Sequence, residues 1–307
     1  RPLSVLGPHG NLVWRAEFSP DGQRVVTASF DATARVFDVR DGRELLRLAG
    51  HGAELRAARF SPDGARVLTA GGDQTLRLWD ARSGAALRTT ALPLPLGEAA
   101  FSPDGARIAA AALHRSGTVW LLGPDGAAPR AIGAHEGRVW SCAFSPDGRW
   151  LLTAGDDGQA RLWDVARGAP ALALRGHGDQ LRHAAFSPDG ERLVTAGLDG
   201  TARLWGRGGE ALLTLADHGS GVRHAAFSPD GDVVLTASQD RTARLWSIAP
   251  SDRPTVLRGH GESVLGALFS RDGRRVLTTS ADMAVRLWDA ETGRPLQVLS
   301  GHFGVVA

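Results

Sequence analysis

Apolar stretches of four to six residues recur along the whole chain, and runs rich in Gly, Pro, Asp and Ser interrupt them about every ten residues. That spacing predicts short strands joined by tight turns. Residues 180–215, QLRHAAFSPDGERLVTAGLDGTARLWGRGGEALLTL, show the pattern in full. In Ser187-Pro188-Asp189-Gly190 the proline presets the second turn position and the glycine can take a positive φ. Asp199-Gly200 and the glycines near Gly206 and Gly208 mark two further turns. Four antiparallel strands are expected, at roughly 180–186, 191–197, 201–206 and 211–215.

The same unit is written out repeatedly. Phe-Ser-Pro-Asp-Gly begins at Phe18, Phe60, Phe101, Phe144, Phe186 and Phe227, and a seventh copy, with Arg271 for Pro, begins at Phe269. An aromatic follows each by 19 residues: Phe37, Trp79, Trp120, Trp163, Trp205, Trp246 and Trp288. Successive units are 42, 41, 43, 42, 41 and 42 residues apart. Strands this short cannot stand alone, but four-stranded sheets packed face to face around an axis cover one another. The expectation is one all-β domain over 1–307, a seven-bladed β-propeller of four-stranded antiparallel blades.

Composition alters this picture little. The hydrophobic share is 43%, with 39 glycines, as many short strands and turns require. No apolar run reaches the length of about 18 residues that a membrane-spanning helix needs. The single cysteine, Cys142, lies in an alanine-rich strand and reads as a core thiol. All basic side chains are arginine, and the net charge is only +2, so charge alone does not imply a nucleic-acid-binding stripe. The absence of lysine points to a GC-rich, bacterial source, and a cytoplasmic location is expected.

A His stands nine residues before the signature Phe in six units, a Thr ten before the aromatic, and an Asp six before it. The sets are His9-Thr27-Asp31, His51-Thr69-Asp73-Trp79, His135-Thr153-Asp157-Trp163, His177-Thr195-Asp199-Trp205, His218-Thr236-Asp240-Trp246 and His260-Thr278-Asp282-Trp288. With Gly176-His177 and with Trp79-Asp80, Trp163-Asp164 and Trp288-Asp289, the chain resembles the WD-repeat family over essentially its whole length, in the manner of bacterial arrays with highly similar repeats. The resemblance implies a propeller in which Asp, His, Thr and Trp form a hydrogen-bonded structural tetrad within each blade. Phe37 has no indole N–H, so the first tetrad is expected to end at Thr27.

The third unit has Leu92, Ala110 and His114 where the others carry His, Thr and Asp. A partly satisfied polar network is worse than none, so the three partners are lost together and apolar packing is expected to hold the blade. The apolar stretch LPLPLG (92–97) beside it has two readings: tolerated loss, or a partner-binding edge with His114 and Arg115.

His, Thr and Asp together could suggest a hydrolase. Six copies at fixed spacing argue against an active site, which needs one arrangement beside one oxyanion hole. No cysteine pair, HExxH motif or spaced acidic calcium loop is present, so neither enzyme activity, metal nor cofactor is expected.

Binding is left, and residues that the repeat does not require are its best candidates. Four residues before the signature Phe stand Trp14, Arg56, Gly97, Trp140, Arg182, Arg223 and Leu265. The residue before the tetrad Asp is Phe30, Gly72, Leu113, Asp156, Leu198, Gln239 or Ala281. The resemblance places both sets at the upper mouth of the central channel. The expected site is Trp14, Phe30, Arg56, Trp140, Arg182, His183, Arg223 and His224, with aromatic and Arg residues of the kind that binding hot spots favour. The expected function is a protein-interaction scaffold or sensor module, of a kind used in signalling. Its ligand is an extended peptide, acidic or phosphorylated near blades five and six. A nucleic-acid or phosphate-polymer binder using the arginines is the alternative. A β-bulge at these positions would rotate them.

Residues 1–6, RPLSVL, nearly repeat 294–299, RPLQVL, and 300–307 read as the start of an eighth unit. Two candidate strands then compete for one outer place, which allows a monomer or a strand-swapped dimer, and a fragment of a longer array is expected.

Overall fold

The computed structural model describes residues 7–248 and 253–299. Seven four-stranded antiparallel sheets follow one another along the chain, each pairing its strands in simple sequence order. The fold is a seven-bladed β-propeller. In blade five the strands are Leu181–Phe186, Arg192–Gly197, Ala202–Gly206 and Ala211–Leu215, close to the sequence expectation. Two compact units are distinguished, residues 1–144, 148–151 and 164–169 in unit 1 and the rest in unit 2, with blade four divided between them. Each is described by itself.

The signature turns explain their own sequence. The Ser19 hydroxyl donates to Asp21 at 2.5 Å and accepts from the Arg24 N–H at 2.9 Å, while the Gly22 N–H closes the turn on the Ser19 carbonyl. Gly22 sits at φ 69°, the left-handed region glycine enters without steric penalty. Arg271 in place of Pro leaves the turn intact: Ser270 still donates to Asp272 at 2.6 Å and the Gly273 N–H still reaches the Ser270 carbonyl at 2.9 Å. Proline only presets a φ that other residues can adopt.

The second and third strands supply the core. In unit 1, Val26, Ala28, Val36 and Leu48 of blade one pack with Leu55, Ala58 and Val67 of blade two, so each sheet face is covered by the next blade. Unit 2 repeats this between Val194 and Leu204 of blade five and Val222 and Ala225 of blade six. Within each unit, apolar residues from two facing sheets thus share a core, and burial of this kind contributes about 25 cal/mol per Å².

Blade three is held as its sequence implies. Leu92, Leu96, Ala110 and Trp120 are buried in one cluster, with Leu94 packed against it. The leucines of 92–97 therefore point into the core, and Leu96 and Gly97 already belong to the first strand, Leu96–Phe101. The leucines are thus covered or half-covered, whereas Pro93, His114 and Arg115 are exposed.

Pro295–Leu299 is the fourth strand of blade seven. The competing strand at 1–6 and the eighth-unit start at 300–307 lie outside the described residues.

Candidate partner-binding site

The tetrads come first, because they fix the strands that carry the candidate site. In blade two, Trp79 Nε1–H donates to Thr69 Oγ1 at 2.8 Å, Thr69 and His51 Nε2 are 2.8 Å apart, and His51 Nδ1 lies 2.9 Å from Asp73. Trp can only donate and an ionised Asp can only accept, so the proton order is set: Nδ1–H donates to the carboxylate and the Thr hydroxyl donates to Nε2. Blades five, six and seven repeat this within 0.1 Å at His177-Thr195-Asp199-Trp205, His218-Thr236-Asp240-Trp246 and His260-Thr278-Asp282-Trp288. In blade one His9 reaches Thr27 at 2.7 Å and Asp31 at 2.8 Å, and the chain of bonds ends there, with buried Phe37 in the indole place. In blade four Trp163 donates to Thr153 at 2.8 Å, and Arg161 pairs with Asp157 at 2.8 Å. His114, in the Asp place of blade three, is exposed and among the described residues approaches only Ser116.

A fifth member went unread in the sequence: the Arg two residues before the tetrad Trp. Arg35 and Arg244 each lie 3.7 Å from their tetrad Asp. Arg77 and Arg203 lie over Gly50 and Gly176, where a Cβ would meet Nη1 at 2.5 and 2.8 Å. Those glycines, at φ 152° and 153°, are the Gly of the Gly-His pair, so its absence of a side chain makes room for the guanidinium. The signal was present as the repeated Arg-Leu-Trp, and blade three, which lacks the Asp, has Thr118 there instead.

The bulge anticipated from sequence is real and regular. In all six sheets whose pairing is described, the first strand slips by one residue, and the residues passed over are Trp14, Arg56, Gly97, Arg182, Arg223 and Leu265. A bulge leaves its extra residue out of the ladder and re-aims it. Opposite it, the N–H of the residue before the tetrad Asp bonds back to the chain two residues before the bulge, as Phe30 to Leu12 and Leu113 to Pro95. Phe30, Gly72, Leu113, Leu198, Gln239 and Ala281 share this bond, so they are equivalent positions.

In unit 1 the structure brings Trp14, Phe30 and Arg56 together. The Trp14 and Phe30 rings stack with centroids 5.6 Å apart, and the Arg56 guanidinium carbon lies 4.9 Å from each. Burial lowers the Arg56 pKa, Glu54 opposes this at 3.8 Å, and the Arg138 charge adds to the lowering. Arg138 in turn sits 5.9 Å from the Trp140 ring. Cation–π contact with two rings holds the guanidinium in one place.

In unit 2, Arg182 and Arg223 occupy the bulges of blades five and six, each followed by a histidine paired in the ladder. The His183 and His224 rings are 4.0 Å apart, and His183 Nδ1 lies 2.9 Å from the Ala225 carbonyl, to which it donates. The four residues are thus gathered across one blade boundary.

One cluster was missed. One position after the bulge in unit 1 stand Arg15, Ala57 and Glu98. Ala57 is small enough for Arg15 to reach Glu98 past it, at 2.6 Å, and Arg59 joins Glu98 at 3.1 Å and Glu17 at 3.4 Å. Glu98 is 6% exposed. Although burial pushes its pKa up, the two guanidinium groups hold it below the ordinary value. For Glu17, burial prevails and the pKa is raised. Burial, with Glu98 nearby, pushes the Cys142 thiol up to about 12, as befits an unreactive core thiol. The column one residue beyond the bulge shows opposite charges at Arg15 and Glu98, but not that they meet past Ala57. Among the described residues, no group of three or more His, Cys, Asp or Glu is placed to hold a metal ion.

Comparison with known proteins agrees with this geometry. The profile described as IFT122 first beta-propeller matches residues 3–247, and that described as WD domain, G-beta repeat matches 252–289. WD repeat-containing protein slr1409 of Synechocystis is 41% identical over 56 residues, 18% of this chain and 17% of that protein. Ribosome biogenesis protein ERB1 of Mycosarcoma maydis is 62% identical over 32 residues, 10% of this chain and 3% of the other. Human WD repeat-containing protein 36 is 46% identical over 39 residues, 13% and 4%. The chain therefore spans only a small part of these relatives. The crystal structure of the computationally designed Ika8 protein superposes with a TM-score of 0.87 at 24% identity, over 99% of this chain and 92% of that one, which speaks to fold alone. Tetrad geometry, seven repeated sheets and matching profiles together show that the chain belongs to the WD-repeat β-propeller family.

Proposed function

We propose that this chain is a non-catalytic protein-interaction module that takes an extended peptide on the unit 1 face bearing Trp14, Phe30, Arg56 and Trp140, at the upper mouth of the propeller's channel. WD-repeat propellers are typically scaffolds that bind proteins, and relatives include a ribosome biogenesis protein. The observation that carries the reading is the Trp14–Phe30 stack with Arg56 lying against both rings. All three side chains are half-buried, and Trp14 and Arg56 stand at bulges that the ladder does not use. Such a surface offers apolar area with little side-chain entropy left to lose, plus a fixed fork of donors for a carboxylate or carbonyl. A nucleic-acid reading draws less support, because Arg56 lies against two rings and Glu54, and Arg15 and Arg59 are neutralised by Glu98 and Glu17.

The test is selection of a random peptide library on the intact chain, followed by affinity measurement with variants. Peptides that bind should lose about tenfold or more in affinity with Trp14→Ala or Arg56→Ala, each a hot-spot-sized loss. They should be unchanged with Leu212→Ala, an exposed residue of blade five's fourth strand. Selected peptides indifferent to both changes at the stack would sink the proposal.

A further inference from the structure

The contact of Arg56 with the Trp14 and Phe30 rings and the buried charge cluster lie between the same strands. Trp14 and Arg56 stand at the bulges of the first strands of blades one and two, Val13–Phe18 and Leu55–Phe60. Three residues further along these strands stand Glu17 and Arg59, 3.4 Å apart. At that place the other blades carry Ala100, Ala143, Ala185, Ala226 and Leu268. Opposite charges are thus written there only on the two strands that bring Trp14 to Arg56.

Glu98, on the first strand of blade three, Leu96–Phe101, joins both. Arg15 Nη1 donates to its two oxygens at 2.6 Å, and Arg59 Nη2 donates to Oε1 at 3.1 Å. One carboxylate therefore holds a guanidinium from each of the two strands. The Ala99 N–H, at 3.1 Å, fixes the carboxylate in turn. At the place of Glu98 the other blades carry Arg15, Ala57, Ser141, His183, His224 and Gly266, so it is the only acid in that column. A buried carboxylate shared by two cations gives up neither without stranding a charge, which makes its geometry exacting. The repeat itself does not need this group, since the bulges of blades five, six and seven form without it.

We infer that Glu98 is a positioning residue for the peptide site: by receiving Arg15 and Arg59 together it sets the separation of the two inner strands, and with it the fit of Arg56 against the Trp14 and Phe30 rings. The bulges aim these side chains. The 4.9 Å contact between them crosses from one blade to the next, so it depends on how far apart the strands stand. Contact groups of this kind hold their geometry only when a second layer of residues supports them. This role rests on the peptide reading of unit 1 and deepens it.

The test reads the contact directly, in the intact chain and without a partner. The Arg56 Nε–H resonance, identified by its absence in Arg56→Lys, should be displaced upfield by the ring currents of Trp14 and Phe30. In Glu98→Gln it should move towards the position of a free arginine, and in Glu98→Asp, which keeps the charge, by less. Peptides selected on the unit 1 face should bind Glu98→Gln about tenfold or more weakly, as they bind Trp14→Ala. Thr236→Val breaks the tetrad of blade six, lowers stability far from these strands and should leave the resonance in place. The triple variant Arg15→Met/Arg59→Met/Glu98→Met removes the cluster without leaving a buried charge, so it keeps the test decisive if Gln does not fold. It should be folded by circular dichroism and still lose the displacement. A wild-type Arg56 resonance in either folded variant overturns the role of Glu98, as do peptides that require Trp14 yet bind Glu98→Gln normally. If selected peptides ignore Trp14→Ala while the resonance responds to Glu98→Gln, only the peptide reading falls.

Discussion

Arg24 lies over the ring of Phe60, its guanidinium carbon 5.0 Å from the centroid, and donates to the Ala81 carbonyl at 2.7 Å and the Gly64 carbonyl at 3.0 Å. It thereby ties the second strand of blade one to the signature turn of blade two. Arg66 does the same over Phe101, 5.4 Å away, with a bond to Pro124, and Arg192 lies 5.9 Å from Phe227. Arg24→Ala should lower stability by about 1–2 kcal/mol, the sum expected of a cation–π contact and two modest hydrogen bonds. Arg40→Ala, at an exposed arginine of the same blade, should leave it unchanged. Urea midpoints of the two variants decide this.

Tetrads behave as units. Thr69→Val removes the hydroxyl that joins Trp79 to His51 and should destabilise by about 2–3 kcal/mol, because both partners stay buried without a bond. Ala110→Thr in blade three, which restores one tetrad residue among Leu92, Leu96 and Trp120, should destabilise by about 1 kcal/mol instead. A gain from Ala110→Thr in a urea titration would refute the account of that blade.

Acid should act in two stages. Burial, more than their Asp partners can offset, lowers the pKa of His9, His51, His177, His218 and His260 below 6.5. Their neutral form is favoured in the fold, so this stability is complete above about pH 6.5 and is lost as pH falls through the lower folded values. Although burial pushes Asp240 and Asp282 up, hydrogen bonds (from Thr242 and His218, and from the Gly261 N–H and His260) hold both at about 2 against an ordinary 3.8. Their contribution is complete above pH 3.8 and is lost on approach to about 2. The urea midpoint should therefore start to fall below pH 6.5 and fall again below about 4. A midpoint that is level from pH 7 to 5 would contradict the first stage.

The residue after the tetrad Asp is strained in some blades and relaxed in others. Gln74 and Met283 stand at φ 65° and 64°, where Gly158 and Gly200 serve blades four and five. Gln74→Gly and Met283→Gly should each stabilise by about 0.5–1 kcal/mol, since relief of a left-handed side chain outweighs the entropy glycine adds to the unfolded chain. Melting temperatures of the single variants would show it; a decrease in both would mean the turns carry no strain.

The strands, the turns and the tetrads were legible because each depends on residues within one repeat, read at fixed offsets. Phe37 ending the first tetrad and Leu92 and Ala110 joining the core of blade three followed from local chemistry in the same way. The Arg15–Glu98 pair was not legible, because its members are 83 positions apart and meet only past Ala57, on a blade between them. Arg56 was read as a contact residue, but that Trp14 and Phe30 would clasp it depended on a bulge that only pairing registers reveal. In segment 92–97 the apolar pattern was clear, but the direction of its leucines is set by what they pack against.

Blade three has a further consequence for folding. Blades five and six have the same pairing offsets and nearly the same strand residues, so a strand of one is a plausible mate for a strand of the other while the chain collapses. Near-degenerate alternatives of this sort roughen a landscape. The blade built on Leu92, Ala110 and Trp120 has no interchangeable counterpart, since a histidine-bearing neighbour cannot complete it without stranding a polar group. Such a blade would serve the assembling chain as a landmark in the count of repeats.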